Sequence, residues 1–113
     1  MPRPTYTSKF PELGFYGLPG HTRTPKDILK QAQDAEELGI GNIMISERTD
    51  CKEIASICGA VAAVTESIFI GTSGTNLNTR HPVVTASIGS TLNSLSDGRF
   101  ALGLAKGINL RWR

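Results

Sequence analysis

Long hydrophobic runs are absent from this sequence, which argues against one class of protein. No segment approaches the ~18 consecutive apolar residues of a membrane-spanning helix. The opening segment MPRPTYTSKFPELG also lacks the apolar stretch of a secretory signal. These absences favour a cytoplasmic protein that is neither exported nor inserted into a membrane.

Cysteine is scarce, since Cys51 and Cys58 are the only two. They fall on one predicted helix, two turns apart, which is too far for an unstrained disulfide. Both are therefore predicted to be reduced and to serve as small core residues. No histidine or further cysteine stands beside them at the spacing of a metal motif, so the sequence predicts no metal site.

An excess of charge is also lacking. The chain has 12 Lys and Arg against 10 Asp and Glu, a net charge of +2, and its basic residues are scattered except at 111–113. Without a basic patch, neither nucleic acid nor an anionic membrane is indicated as a partner, and a small-molecule or protein partner is favoured. With 39% hydrophobic residues, the composition is that of one globular domain, residues 1–113.

A repeated strand–helix pattern is what the sequence does contain. Apolar runs predict strands at residues 13–18, 42–46, 68–72 and 100–104. The second of these has three consecutive large apolar residues and is predicted to be buried on both faces.

Three helices are predicted between the strands, each with its own start signal. The first has Thr24 as its N-cap and Gly39 at its end. The second is assigned Asp50 as its N-cap, with Glu53 in the first turn. The third begins at Pro82 and extends to about residue 95.

The spacing of the strands predicts the fold class. Their starts recur about every 30 residues, the length of one βα unit, and such crossovers imply parallel pairing. A doubly wound sheet would carry G-x-G-x-x-G or a P-loop after the first strand, and GFYGLPGH is neither. The prediction is α/β: parallel βα units of a TIM (β/α)8 barrel, truncated to about four strands and three helices.

Four segments follow the carboxyl ends of the predicted strands, where the sites of such proteins are built: PGHTRT, SERTD, TSGTNLNTRH and AKG. They contain His21 as a candidate acid or base, the neighbours Glu47 and Arg48, and Lys106. Each has a structural alternative, because His21 and Lys106 can be solvated surface residues and Glu47 can pair with Arg48 or with a neighbouring helix. The residues alone leave these alternatives open.

The run TSGTNLNTRHPVVTASIGSTLNSLSDGRFALGLAKG resembles the bacterial luciferase-like superfamily. Its members are TIM-barrel enzymes that use reduced flavin or the deazaflavin coenzyme F420. The marks are T-R-H-P opening the third helix, T-L-x-x-L-S-x-G-R-F before the fourth strand and L-G-L-x-x-G after it. The upstream sequence is similar to a branch of F420-dependent oxidoreductases, so the resemblance covers about residues 14–107.

The resemblance implies cofactor contacts after the third and fourth strands. In the family, a non-prolyl cis peptide supports the deazaflavin ring, and the matching bond here is Ser73–Gly74. Arg80 matches a structural anchor. The other positions that match cofactor contacts are Asn76, Thr79, Lys106 and Gly107.

One departure from the family concerns proton transfer. Several F420-dependent relatives carry an acidic residue followed by histidine after the second strand, whereas this chain has Glu47 followed by Arg48. The resemblance therefore leaves Glu47 or His21 as the catalytic residue.

The leading functional hypothesis is hydride transfer between coenzyme F420 and an organic small-molecule substrate. One alternative is an FMN-dependent monooxygenase of the same superfamily. Another is a non-catalytic half-barrel that forms a homo-oligomer through its open strand edges. The late strands that hold the cofactor phosphate in this superfamily are missing, so the chain alone is expected to be incomplete and inactive.

Overall fold

The computed structural model describes residues 8–106, which form a parallel sheet with helices packed against one face. The elements in chain order are β1 (Phe10–Tyr16), α1 (Asp27–Leu38), β2 (Ile40–Ile45), α2 (Ile54–Val64), β3 (Phe69–Thr72), β4 (Thr75–Asn76), α3 (Pro82–Leu95), β5 (Phe100–Ala101) and β6 (Leu104–Ala105). The main sheet has the order β1-β2-β3-β5, and all of its pairs are parallel. This topology confirms the predicted α/β fold with its four main strands and three helices.

The core lies between the sheet and the helices. Ile43, Ile45 and Ile70 point to this side and are fully buried, together with Ile28 of α1 and Ile54 of α2. The prediction that the second strand is buried on both faces is wrong, because burial alternates along β2. One face of β2 meets the helices, and the described residues leave the other face partly open.

The first helix ends as predicted and begins later than predicted. Gly39 has φ +86°, and its N–H bonds to the carbonyl oxygens of α1, which is the left-handed termination that glycine permits. Thr24 is not the N-cap, because residues 24–27 form a preceding turn in which the Asp27 N–H bonds to the Thr24 carbonyl at 3.0 Å. The Thr24 hydroxyl instead donates to the Asp27 carboxylate at 2.6 Å.

The start of the second helix corrects two predictions. Glu53, not Asp50, is the N-cap of α2, and its carboxylate accepts the N–H groups of residues 55 and 56. Arg48 and Lys52 exchange backbone hydrogen bonds of 3.1 and 2.7 Å, so the chain makes a closed turn before the helix begins. Asp50 and Cys51 lie in that turn. Cys51 is therefore a half-buried loop residue, while Cys58 is buried in the core, and both are free thiols as predicted.

The predicted fourth strand is split in two. The main sheet ends at Ala101, and the chain re-pairs at β6 with β4, a short strand within the segment predicted to be a loop. The break is held by Thr72, whose hydroxyl donates to the Gly103 carbonyl at 2.8 Å and accepts the Gly103 N–H at 2.7 Å. A Cβ at Gly103 would lie 2.1 Å from the Thr72 carbonyl oxygen, so only glycine fits this contact.

Candidate functional site

Glu47 lies at the carboxyl end of β2 and occupies the centre of a buried polar cluster. Its side chain is 6% exposed. It accepts hydrogen bonds from the Thr75 hydroxyl at 2.9 Å, the Ile54 N–H at 2.9 Å and the Arg80 guanidinium. Burial raises the pKa of Glu47, but the hydrogen bonds from Arg80, Ile54 and Thr75 outweigh this effect and lower the pKa below its ordinary value. Glu47 is therefore a carboxylate that stays ionised.

Arg80 connects three segments around that carboxylate. One guanidinium nitrogen bonds to Glu47 and to the Thr75 hydroxyl, and the other bonds to Glu47 and to Glu53 at the start of α2. The alternative in which Glu47 pairs with Arg48 is wrong, because Glu47 pairs with Arg80, which is 33 positions away in the sequence. The anchoring role predicted for Arg80 is confirmed by these contacts.

The N-cap carboxylate of α2 shares the cationic partner. Burial raises the pKa of Glu53, but hydrogen bonds from the Ser56 hydroxyl, the N–H groups of Ala55 and Ser56, and Arg80 bring it down to about 2. A helix N-terminus favours a negative charge at this position. The loop after β3 is therefore fastened to the start of α2.

The segment after β3 carries the predicted cis peptide. The Ser73–Gly74 bond is cis, as the family resemblance implied. Ser73 N–H bonds to the Ile45 carbonyl at 2.8 Å, and Thr75 N–H bonds to the Gly103 carbonyl at 2.9 Å. These bonds fix the segment between β2 and the β5–β6 connection.

Tyr16 lies at the carboxyl-terminal edge of the sheet, which is called the rim below, and the sequence analysis did not identify it as a site residue. Its hydroxyl lies 2.9 Å from the Ser73 hydroxyl and 3.2 Å from the Ser73 carbonyl, although the side chain is 54% exposed. The predicted first strand, residues 13–18, places Tyr16 inside a strand and not at a strand end. Only its position at the carboxyl end of β1, next to a rim loop, could have indicated this contact.

Two of the other predicted cofactor contacts, Asn76 and Lys106, are linked through Asn78. Asn76 pairs with Ala105 in the β4–β6 ladder, and its side-chain oxygen accepts the Asn78 N–H at 2.6 Å. The Asn78 amide then donates to the Lys106 carbonyl at 3.0 Å. Thr79 is exposed. Gly107 lies outside the described residues.

His21 lies in the loop after β1 and faces a different partner. Its Nδ1 is 3.1 Å from each carboxylate oxygen of Asp50, and both side chains are 66% exposed. The hydrogen bond from His21 lowers the pKa of Asp50. His21 pairs with Asp50 and Glu47 pairs with Arg80, so the two predicted catalytic residues belong to separate clusters.

A buried lysine beside this loop was also missed. Lys52 is 0% exposed, and its ammonium donates to the Leu18 carbonyl at 2.7 Å and to the Ser46 hydroxyl at 3.2 Å. Burial lowers its pKa from the ordinary value, and the nearby charge of Arg48 adds to this effect. Lys52 ties the loop after β1 to the end of β2. Nothing in the sequence around it signals burial, since charged residues surround it.

The chain matches the family model for luciferase-like monooxygenases over residues 11–110. It belongs to that family. The match spans the elements described above except the first residue of β1, and it confirms that they are βα units of the family's (β/α)8 barrel, of which this chain covers part.

The proteins to which the chain is similar include the following three. A 5,10-methylenetetrahydromethanopterin reductase of Methanolobus tindarius is 38% identical over 80 residues, which are 71% of this chain and 24% of that protein. The structure of the coenzyme F420-dependent tetrahydromethanopterin reductase of Methanopyrus kandleri has a TM-score of 0.75 and 29% identity over 92% of this chain. An FMN complex of the oxygenating constituent of 3,6-diketocamphane monooxygenase from Pseudomonas putida has a TM-score of 0.74 and 26% identity over 95% of this chain.

The chain spans only 24% of the length of the Methanolobus reductase, and 28% and 31% of the two solved chains. These relatives are oxidoreductases or monooxygenases. Within residues 8–106, no helix combines the length and apolar character needed to cross a bilayer.

Proposed function

We propose that this chain forms part of an oxidoreductase that transfers hydride between coenzyme F420 and a small organic substrate. The observation that carries the proposal is the 38% identity with a 5,10-methylenetetrahydromethanopterin reductase. The tetrahydromethanopterin reductase of Methanopyrus kandleri, whose structure the chain resembles, depends on coenzyme F420. When bound, the deazaflavin supplies the redox chemistry, and the protein supplies orientation and proton transfer.

The donor set of the rim fits such a cofactor. Ser73, Asn76 and Thr79 are neutral hydrogen-bonding residues that are exposed or half-buried at the carboxyl edge of the sheet. A Cβ at Gly74 would lie 3.1 Å from the Gly103 carbonyl oxygen, so glycine lets the segment after β3 approach the β5–β6 connection closely. Neutral hydroxyl and amide groups suit a flat heterocycle with carbonyl and N–H edges. We assign Ser73, Gly74, Asn76 and Thr79 to cofactor contact, together with the backbone of Lys106. Gly107, which lies outside the described residues, is assigned on the family resemblance alone.

Proton transfer is assigned to His21, not to Glu47. Each Glu47 oxygen already accepts two hydrogen bonds, and the low pKa keeps the group from donating a proton. His21 has its Nδ1 directed at Asp50, which leaves Nε2 as the nitrogen available to a substrate. Asp50 is then a positioning residue for the imidazole, and Glu47 is a positioning residue that holds Arg80.

A spectral titration tests the choice of cofactor. Purified protein is titrated with oxidised and reduced F420 and, in parallel, with oxidised and reduced FMN. We expect a change in the F420 absorbance and fluorescence and a weaker response to FMN. Because the chain spans only 24% of the Methanolobus reductase, the same titration is made with a longer protein that contains this chain, and no response to either cofactor in both proteins would overturn the proposal. Oxygen consumption with reduced FMN would instead support the monooxygenase alternative, which the likeness to the FMN-containing camphane enzyme favours.

Steady-state kinetics of a longer protein that contains this chain test the proton-transfer assignment, because the chain alone is expected to be inactive. His21→Gln removes the titrating group while keeping a polar side chain of similar reach, and we expect kcat to fall by about 100-fold with F420 affinity unchanged. Asp50→Asn serves as the positioning control: we expect a smaller fall in kcat and an altered pH profile. An unchanged kcat in His21→Gln would remove His21 from the mechanism.

A further inference from the structure

Three metal-ligating side chains meet outside the proposed cofactor rim. His21 comes from the loop after β1, and Asp50 and Cys51 come from the turn after β2. One potential ligand atom from each lies within 4.8 Å of the other two. The sequence predicted no metal site because a spacing motif shows only ligands that are near in the chain. Here the fold brings His21 to a pair 29 positions away.

The separations are close to those around a tetrahedral ion. Ligand atoms bound at about 2.0–2.3 Å lie about 3.3–3.8 Å from one another. The Nδ1 of His21 and the Asp50 oxygens are already 3.1 Å apart. The Cys51 sulfur has to approach by no more than about 1 Å, which side-chain rotation in an open loop can supply. A metal ion would take the place of the proton between imidazole and carboxylate.

Buried contacts hold the two loops in register. Lys52, adjacent to Cys51, is fully buried and donates to the Leu18 carbonyl in the loop that carries His21. The Arg48–Lys52 backbone pair closes the turn, and the Cys51 N–H bonds to the Arg48 carbonyl at 3.0 Å. The ligands therefore stand on a fixed frame although their tips reach solvent. Contacts that hold the ligand residues in place raise the affinity of a metal site for its ion.

The chemistry of the three donors selects the ion. One imidazole nitrogen, one carboxylate oxygen and one sulfur favour zinc or cobalt over magnesium or calcium, which prefer oxygen alone. Asp50 and a bound thiolate together balance the two positive charges of the ion. Three protein ligands leave a fourth position for water, as in open zinc sites.

We propose that His21, Asp50 and Cys51 form a binding site for a divalent zinc-class cation, which links the loops after β1 and β2. The site shares His21 and Asp50 with the proposed proton transfer, whereas Cys51 belongs to the metal site alone. Binding of the ion is expected to raise the melting temperature, because a ligand that binds only the folded state stabilises it.

The chain offers matched controls for this site. Its only other histidine, His81, accepts the Val83 N–H at the start of α3, and its only other cysteine, Cys58, is buried. Burial, with the charges of Glu53 and Glu47, raises the pKa of the Cys58 thiol to about 12. Cys58 is therefore a poor metal ligand, and Cys58→Ala changes the other thiol without touching the proposed site.

The experiment is a titration of tag-free, metal-stripped protein with Co²⁺ and with Zn²⁺. We expect one ion per chain, a thiolate-to-cobalt charge-transfer band in the near ultraviolet, and displacement of cobalt by zinc. Cys51→Ser, His21→Ala and Asp50→Asn should each weaken binding by more than about tenfold. Cys58→Ala should retain the band, and Mg²⁺ should give no signal. Circular dichroism checks that every variant is folded.

A measurement on the unaltered protein covers the case in which a variant does not fold. Zinc should protect Cys51 from alkylation, which is followed by mass spectrometry of the peptide. Absence of the cobalt band together with unprotected Cys51, or binding that Cys51→Ser leaves intact, would overturn the proposal. Because Cys51 has no part in the proposed proton transfer, Cys51→Ser also separates metal binding from the role of His21 in turnover.

Discussion

At the scale of single residues, the buried ion pair is the feature on which the rim depends. Glu47 and Arg80 have side chains that are 6% and 14% exposed, and they join the end of β2 to the loop after β3. The pairing of these two residues cannot be predicted from the sequence, because they are 33 positions apart and each has an oppositely charged residue nearer in the sequence. Only the closure of βα units brings them together.

Removal of one partner leaves a buried charge without its counterion. We expect Arg80→Ala to lower the free energy of unfolding by about 3 kcal/mol at pH 7, because Glu47 is then buried and ionised without Arg80. Chemical denaturation with urea measures this loss. Lys30→Ala is the control, since it breaks an exposed pair with Asp34 whose side chains are 82% and 52% exposed, and it should cost less than about 0.5 kcal/mol.

The same comparison has a defined pH dependence. The folded-state pKa of Glu47 lies below its ordinary value of 4.5, so its contribution is fully present above that pH and is lost as the pH falls below it. Glu53 has a folded-state pKa of about 2, so its contribution to stability is lost only as the pH falls toward that value. The gap in stability between the parent protein and Arg80→Ala should therefore shrink from pH 7 to pH 3. A gap that is constant over this range would mean that Arg80 stabilises by packing alone.

At the scale of elements, the sequence predicts what local patterning determines. The third helix starts where predicted because Pro82 fixes φ in its first turn and the His81 side chain accepts the Val83 N–H. The second helix starts later than predicted because both Asp50 and Glu53 can cap a helix. Asp50 lies instead in the Arg48–Lys52 turn, against His21. Capping chemistry alone does not decide between two acids three positions apart.

Contacts between distant elements account for the other differences. Glu36 in α1 is 4% exposed, and one of its carboxylate oxygens accepts the N–H groups of residues 66, 67 and 68 before β3. Glu36 follows Ile28 and Ala32 at four-residue steps, so helical spacing alone places it on the buried face but does not show which N–H groups its carboxylate meets. The division of the fourth strand likewise depends on Thr72 and Gly103, which meet only across the sheet. A pattern confined to one segment cannot show either contact.

At the scale of the whole molecule, the open sheet is the dominant feature. Among the described residues, β1 and β5 are the two edges of the main sheet, since each pairs with one neighbour only. Phe10, Leu13 and Tyr16 of β1 are 47%, 50% and 54% exposed. Exposed apolar side chains along an unpaired strand favour association. The parallel βα order was predictable from the spacing of the strands, and the barrel was predictable from the family resemblance. Which surface meets this edge is not encoded in any single segment of the sequence.

Self-association of the purified protein is the prediction that follows. We expect sedimentation velocity to show a concentration-dependent shift from monomer to larger species, with the open β1 edge in the contact. Leu13→Lys should weaken this association, because a lysine on an edge strand opposes pairing with another chain. Val83→Lys is the matched control, since Val83 is 69% exposed at the start of α3, a helix that packs against α2 and β5, and its substitution should leave the sedimentation unchanged. A protein that stays monomeric at all concentrations, or that responds equally to both substitutions, would show that the β1 edge does not drive assembly.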